Sequence, residues 1–365
     1  MKTNKFYLLV NNKSYKQYFD ATGKAPEDIE NILLKSGCQR LETACCDLID
    51  ADKPKCKLIG YFYELKNAFA QFWRIAIPLP NASVLVYQYP SVFWGDYPEL
   101  YYCFLLVKTF CLLFRKKIDI LFVIHDLPSI RFKDEHLKNW ERKIFPMATY
   151  VVSHNQKMTE YIKGALNYNG AIANLDIFDY LVKSPKENKR HLLKNCRTVA
   201  YAGNLIKPGF IYNIVDMESV KIHLYGKKLR HGKNELPSCC EYKGCFAPDE
   251  LPMIMDEDFA LIWDGDNAEG ISGLMGEYMR YNNPHKLSLY VVAHIPVIAW
   301  EESAIADFVI NNNIGFTIKN LSDIENRINN ITQNEYDDMY GNISKLALQL
   351  EQGDRIKCCI SELSK

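Results

Sequence analysis

The strongest constraint on this chain is an alternation: short runs of β-branched, aromatic and aliphatic residues recur along it, separated by stretches with helical spacing. The runs at 5–10, 83–88, 118–125 and 149–153 read as strands, and those at 97–115, 133–144 and 155–165 as helices. Apolar strands spaced by helices predict parallel sheets built of βαβ units. A polar, basic stretch at 183–191 interrupts the rhythm, and strand-like runs resume at 198–201, 220–225, 242–246, 259–263 and 295–299. The stretch reads as a linker. The expectation is an α/β chain with two domains in series, 1–183 and 194–344, and a C-terminal helix at about 345–365 packing back on the first. At 365 residues the chain is long enough for two such cores.

Charge narrows the partners. Lys plus Arg and Asp plus Glu both number 44, so the broad basic footprint of a nucleic-acid binder is absent and any anion site is local. Twelve cysteines, some adjacent as in Cys45-Cys46, Cys239-Cys240 and Cys358-Cys359, lie far below the density of a disulfide scaffold and read as thiols of a reducing cytoplasm. Cys239, Cys240 and Cys245 lack the second pair or histidine that a zinc site requires. The apolar run from Phe6 to Val10 is too short for a signal-peptide core.

One segment, 100–114, is apolar except at Lys108 and Thr109 and is followed by Arg115-Lys116-Lys117. A helix of that length covers roughly 22 Å, short of the about 30 Å of a hydrocarbon core. It is expected to lie buried against a sheet with Lys108 at its exposed edge; the alternative is a surface helix resting on a membrane.

Ligands of doubly wound sheets bind at the carboxyl ends of the strands. At 118–124 an apolar strand ends in His125-Asp126, where a carboxylate or imidazole is placed to take a proton from an acceptor hydroxyl; Asp126 is the first choice of base and His125 the second. The first βα loop, Asn11-Asn12-Lys13-Ser14, is expected to close over the donor from the opposite side. Further on, Asn283 reads as an N-cap, Pro284 as the first helical residue, and Lys286 falls in the first turn. A cation opposes the dipole there, so either Lys286 is a solvated surface residue or a phosphate accounts for it.

The run Trp263-Asp264-Gly265-Asp266, Ser272-Gly273, Gly276-Glu277-Tyr278, Tyr281-Asn282-Asn283-Pro284-His285-Lys286, Ile295-Pro296-Val297-Ile298 and Ala306-Asp307-Phe308-Val309 before Asn313-Ile314-Gly315 resembles bacterial beta-1,6-galactofuranosyltransferases. It is similar also to the glucosyltransferases that extend N-acetylglucosamine on serine-rich adhesins. Weaker agreement occurs at Tyr201-Ala202-Gly203-Asn204-Leu205 and at Ile124-His125-Asp126-Leu127-Pro128. The resemblance implies a GT-B fold, two doubly wound Rossmann-like domains facing across a cleft. It also implies a UDP-sugar donor on the C-terminal domain, an acceptor on the N-terminal one, and no obligatory metal or other cofactor. By the same resemblance, Gly203, Asn204, Lys286 and the amides beside it face the diphosphate. Phe246 stacks the base or is a core aromatic, Tyr281, Asn282 and Ser288 line the ribose or phosphates, and Asn283 and His285 belong to the same nucleotide-sugar site.

Two spacings carry less. Asp264-Gly265-Asp266 has the Asp-x-Asp form of metal-dependent transferases of another fold, and structural acids at a strand end suffice to explain it. Glu269 and Glu277 reproduce a Glu-x7-Glu spacing of retaining enzymes, yet Leu289 stands where the second glutamate belongs on the helix before Ile295-Pro296-Val297-Ile298. His294, in place of a turn glycine, reads as helix-end geometry.

The sequence reading is therefore a cytoplasmic, inverting, metal-independent hexosyltransferase, the hexose being galactofuranose or glucose. Its acceptor would be a surface polysaccharide, lipid-linked glycan or glycoprotein, and it could touch the inner face of a membrane peripherally. The rivals are a nucleotide-sugar epimerase and a non-catalytic accessory subunit. Neither the sugar nor the oligomeric state is legible.

Overall fold

The computed structural model describes residues 5–10, 23–42, 57–90, 97–187, 192–193, 195–206, 209–227 and 236–363. The chain divides into two compact units. The first comprises Met1–Tyr15, Glu30–Asn174 and Cys359–Lys365, and the second Lys16–Ile29 and Leu175–Cys358.

In the first unit β1 (Lys5–Val10), β2 (Gln39–Glu42), β3 (Ser83–Tyr89), β4 (Ile118–Ile124), β5 (Tyr150–Ser153) and β6 (Ala171–Asn174) form one sheet of order β2-β1-β3-β4-β5-β6. Every adjacent pair is parallel. The connections are α1 (Lys24–Lys35), α2 (Lys57–Ala76), α3 (Tyr97–Leu113), α4 (Pro128–Phe132), α5 (Glu135–Ile144) and α6 (Gln156–Ala165). All seven side chains of β3 and all seven of β4 are buried, which explains why these strands read as apolar runs interrupted only by Ser83, Gln88 and Asp119. Asp134 and Asn155 start α5 and α6 by accepting from backbone N–H groups of the first turn.

The second unit repeats the plan. β7 (Arg197–Ala202), β8 (Val220–Tyr225), β9 (Cys240–Gly244), β10 (Phe259–Ile262), β11 (Val297–Trp300) and β12 (Gly315–Ile318) give the parallel order β12-β11-β10-β7-β8-β9. Its helices are α7 (Leu251–Ile254), α8 (Gly273–Tyr278), α9 (His285–Val292), α10 (Ala306–Asn311), α11 (Ile324–Asn329), α12 (Gln333–Gln352) and α13 (Asp354–Leu363). α9 is buried between this sheet and α12, and its residues from Leu287 to Val292 are all inaccessible.

Several boundaries differ from expectation. The units part after Asn174, ahead of the basic stretch at 183–191, because Ile177 and Tyr180 are buried in the second core and carry the chain into it. Lys186, inside that stretch, donates to the carbonyls of Met255 and Ala293. The expected single C-terminal helix is two. Thr332 and Glu335 form a capping box at the start of α12, Gly353 ends it at φ +73°, and only the end of α13 belongs to the first unit. α3 stops before Arg115, whose φ is +50°. It buries Cys103, Phe104 and Val107, but Leu105 and the end of the segment, Leu112, Leu113 and Phe114, are exposed, so the expectation of a mostly buried helix holds for only one face.

Candidate active site

In each sheet the first strand is where connections change direction. β7 leads to β8 on one side and has β10 on the other, so the β7/β10 pair is a topological switch point. The pairing of these strands extends over Phe259↔Val199 and Ala260↔Ala200. Beyond it a side chain takes over: the Tyr290 hydroxyl of α9 accepts from Ala202 N–H at 2.9 Å and donates to the Leu261 carbonyl at 3.2 Å. The strand ends open around that bridge.

Three strands here run out into glycine. Gly203 follows β7 with φ +154°, Gly226 follows β8 with φ +155°, and Gly265, after β10, has φ +98°. A Cβ on Gly226 would lie 1.9 Å from the Gly203 carbonyl oxygen, so the two loops touch through backbone alone. A Cβ on Gly203 would meet Lys286 Cε at 2.9 Å. Lys286, in the first turn of α9, thus reaches back over the end of β7. Its ammonium donates to the Tyr201 hydroxyl at 2.9 Å and lies 4.2 Å from that ring's centroid. Among the described residues it forms no ion pair; burial lowers its pKa from the ordinary lysine value, opposed by the charge of Asp264. A desolvated cation at a helix N-terminus, facing glycine backbone, is an arrangement suited to an anion such as a diphosphate.

The other residues of the block are placed differently. α9 begins after Pro284 rather than after Asn283; the Asn283 side chain is spent on the Asp176 carbonyl. Ser288 Oγ donates to the Phe178 carbonyl at 2.7 Å, and His285 stacks on Tyr180 with centroids 4.9 Å apart. Burial and then the Lys24 charge hold the His285 imidazole neutral, with its pKa at about 3. These three side chains fasten the segment 176–180 to α9. Asn282 Oδ1 is buried with no hydrogen-bond partner among the described residues, and Tyr281 is half-buried beside it. Asn204 is exposed and accepts from Ile206 N–H at 2.9 Å. Phe246 lies past the end of β9, which finishes at Gly244, two residues earlier than its expected end at 246. Its ring is half-buried, 6.1 Å from that of Tyr225 at the end of β8.

Asp264 accepts from Gly265 N–H at 2.9 Å and Asp266 abuts the backbone positions of Gly209 and Gly273. Glu277 pairs with Arg280 at 3.5 Å, while Glu269 bridges to Asn320. Among the described residues no group of three His, Cys, Asp or Glu is arranged to hold a metal ion. His294 has φ +59° just past α9, the left-handed helix-end position, and packs on Tyr340.

In the first unit the polar groups at the carboxyl ends of β3, β4 and β5 gather together. His125 Nε2 is 2.7 Å from Gln88 Oε1. Asp126 accepts from Arg131 of α4, and the buried His154 meets the Ile124 carbonyl at 3.1 Å. Behind them Glu141 of α5, fully buried, accepts from the backbone and hydroxyl of Ser129, and burial raises its pKa to about 7. The loop at 11–14 lies outside the described residues. Sequence reasoning missed Tyr201, Tyr290 and Arg131. Each works through a partner distant in the chain or across a turn, which spacing alone does not reveal.

Two parallel six-stranded sheets, with an anion-suited lysine and glycine loops at the switch point of the second, define the two-domain α/β fold of GT-B glycosyltransferases. Over nearly its whole length the chain superposes on sucrose-phosphate synthase from Thermosynechococcus elongatus (TM-score 0.63, 10% identity, 99% of each chain). It superposes also on Anabaena HepE in complex with UDP (TM-score 0.56, 12% identity, 99% of each chain). The chain belongs to the Glucosyltransferase 3-like family: residues 7–165 match its N-terminal domain and 199–363 its C-terminal domain. It is 30% identical over 292 residues to the beta-1,6-galactofuranosyltransferase WbbI of Escherichia coli (strain K12), covering 78% of this chain and 80% of the relative. Identity to Glucosyltransferase 3 of Streptococcus gordonii is 20% over 307 residues, 81% of this chain and 85% of the relative.

Proposed function

We propose that the protein is a glycosyltransferase that moves a hexose, galactofuranose or glucose, from a UDP-sugar to a saccharide acceptor in surface polysaccharide or glycoprotein glycan synthesis. The observation that carries the reading is Lys286: a half-buried lysine whose ammonium bonds a phenol and forms no ion pair among the described residues, set against Gly203 at the β7/β10 switch point. The names of the relatives, one a galactofuranosyltransferase and others glucosyltransferases, support the reaction class.

In this reading the donor diphosphate rests on the Gly203 and Gly226 loops and the first turn of α9. Lys286 neutralises charge that grows as the glycosidic bond breaks. The acceptor binds on the first unit, where Asp126 accepts the proton of its hydroxyl and His125 is the second candidate. Arg131 pairs with the Asp126 carboxylate and holds its orientation. The leaving group is stabilised by protein cations and amides, so the reaction is metal-independent, and direct attack inverts the anomeric centre. The site of action is the cytoplasm, where UDP-sugars are the donor pool, with a lipid-linked glycan or glycoprotein as acceptor.

The test is calorimetry with UDP on the full chain, followed by UDP release from a panel of UDP-sugars with and without saccharide acceptors. UDP binding with acceptor-dependent release supports the reading. Acceptor-independent conversion of the sugar would make the protein an epimerase, and absence of UDP binding an accessory subunit.

A further inference from the structure

The first unit carries an apolar face that its own core does not need. α2 and α3 pack side by side, and both leave large side chains in solvent: Phe62, Phe69 and Trp73 on α2 and Leu112, Leu113 and Phe114 at the end of α3 are between 53% and 80% exposed. The two helices are linked beneath this face: ring centroids run from Trp73 to Phe69 at 6.3 Å, from Phe69 to the buried Phe72 at 5.8 Å, from Phe72 to Phe110 at 5.7 Å and from Phe110 to Phe114 at 4.6 Å, so the exposed rings of both helices rest on one shared core. Contiguous apolar surface of this kind on a folded domain marks an interaction site.

Charge selects the partner. The chain as a whole is balanced, but α2 and residues 97–117 together hold seven Lys and Arg against two Glu, and one of those, Glu99, is buried. Lys66 is exposed on α2 four residues after Phe62, and Arg115 is exposed immediately after Phe114. Lys116 lies against the Phe110 ring, 5.5 Å from its centroid, and ties α3 to the end of α2 through the Ala76 carbonyl at 2.7 Å. Two copies of such a face would bring like charges together. An anionic lipid surface satisfies both components, with aromatic and leucine side chains entering the acyl boundary and cations at the headgroups. Among the described residues no helix is long and apolar enough to cross a membrane, so the contact is with one leaflet.

We infer that the α2/α3 face is a peripheral membrane-binding surface that seats the first unit on an anionic bilayer. The inference stands apart from the sugar-transfer reading, since it uses none of the residues assigned to it.

The experiment is co-sedimentation of the full chain with phosphatidylcholine vesicles, with and without phosphatidylglycerol, at low and high salt. Wild-type protein is expected to pellet with the phosphatidylglycerol vesicles and to be released by salt. Leu112→Ser with Leu113→Ser, at highly exposed positions, should lower vesicle affinity about tenfold or more. Lys66→Glu with Arg115→Glu should lower it by about fivefold for each cation lost. Circular dichroism checks that both variants keep the fold. The inference is overturned if wild-type protein stays in the supernatant with anionic vesicles at low salt, or if both double variants pellet as wild type does. It is equally overturned if light scattering finds a concentration-dependent dimer that Leu112→Ser with Leu113→Ser dissociates while vesicles are not bound.

Discussion

Lys286 Nζ donates to the Tyr201 hydroxyl at 2.9 Å, joining the first turn of α9 to the end of β7 across the switch point of the second sheet. The hydrogen-bond partner is a neutral phenol, and the Asp264 carboxylate acts on the ammonium through its charge without forming an ion pair.

Replacing Lys286 by Ala is therefore expected to weaken UDP binding about 10-fold to 100-fold, the worth of one charge-assisted contact. Turnover should fall further, because charge on the diphosphate peaks in the transition state. Calorimetry and a UDP-release assay separate the two effects; unchanged UDP affinity in a folded variant would remove Lys286 from the site.

Gly203→Ala places a methyl 2.9 Å from Lys286 Cε at a backbone φ of +154°. The lysine end can swing aside, so the stability cost is confined to backbone strain of about 1–3 kcal/mol. UDP affinity should nevertheless drop about tenfold, since the ammonium loses its seat and the diphosphate its closest backbone approach. Denaturant melts and calorimetry on the same preparation read both quantities.

Asp126→Asn should reduce transfer on the order of 100-fold or more while leaving UDP affinity nearly unaltered, the signature of a base lost from the acceptor side. Near-normal turnover would assign the proton to another group. His125→Ala is then the informative variant, with Gln88 as the residue that orients that ring.

Tyr290→Phe removes the hydroxyl that joins Ala202 N–H to the Leu261 carbonyl and leaves both buried groups without it. A loss of about 1–3 kcal/mol in urea unfolding is expected. A variant as stable as wild type would show that water or strand movement replaces the bridge.

Glu141 supplies a pH dependence of known sign. Its folded pKa of about 7 lies above the 4.5 of an unperturbed glutamate because burial disfavours the anion. Its contribution to stability is complete in acid and is lost as pH rises through about 7. Between pH 5 and pH 8 the wild type should lose about 2.5 kcal/mol relative to Glu141→Gln. Parallel urea titrations at the two pH values check this; equal pH slopes for the two proteins would refute it.

Much of the fold was legible because buried parallel strands are locally apolar: β3, β4 and β10 stand out by composition, and β8 by its alternation of apolar residues with Lys221 and His223. β2 did not, since its pattern Gln39-Arg40-Leu41-Glu42 is that of a mostly exposed edge strand. The candidate site was half legible. Lys286 was marked by a local conflict, a cation in a first turn. The supporting roles of Asn283, His285 and Ser288 depend on contacts with residues 176–180, a separation along the chain that no local pattern encodes.

The same long-range fastening limits how this protein can be recombined. The second unit holds the start of α1, where Lys24 reaches the Leu181 carbonyl at 2.7 Å and Asp249 at 2.7 Å. The last residues of α13 return to the first unit, with Cys359 Sγ on the Asn174 carbonyl. A chimaera spliced once at Leu175, taking its two parts from two relatives, would strand a helix end from each parent in the wrong unit. An exchange between relatives therefore has to move residues 16–29 and the last residues of α13 together with the unit each belongs to.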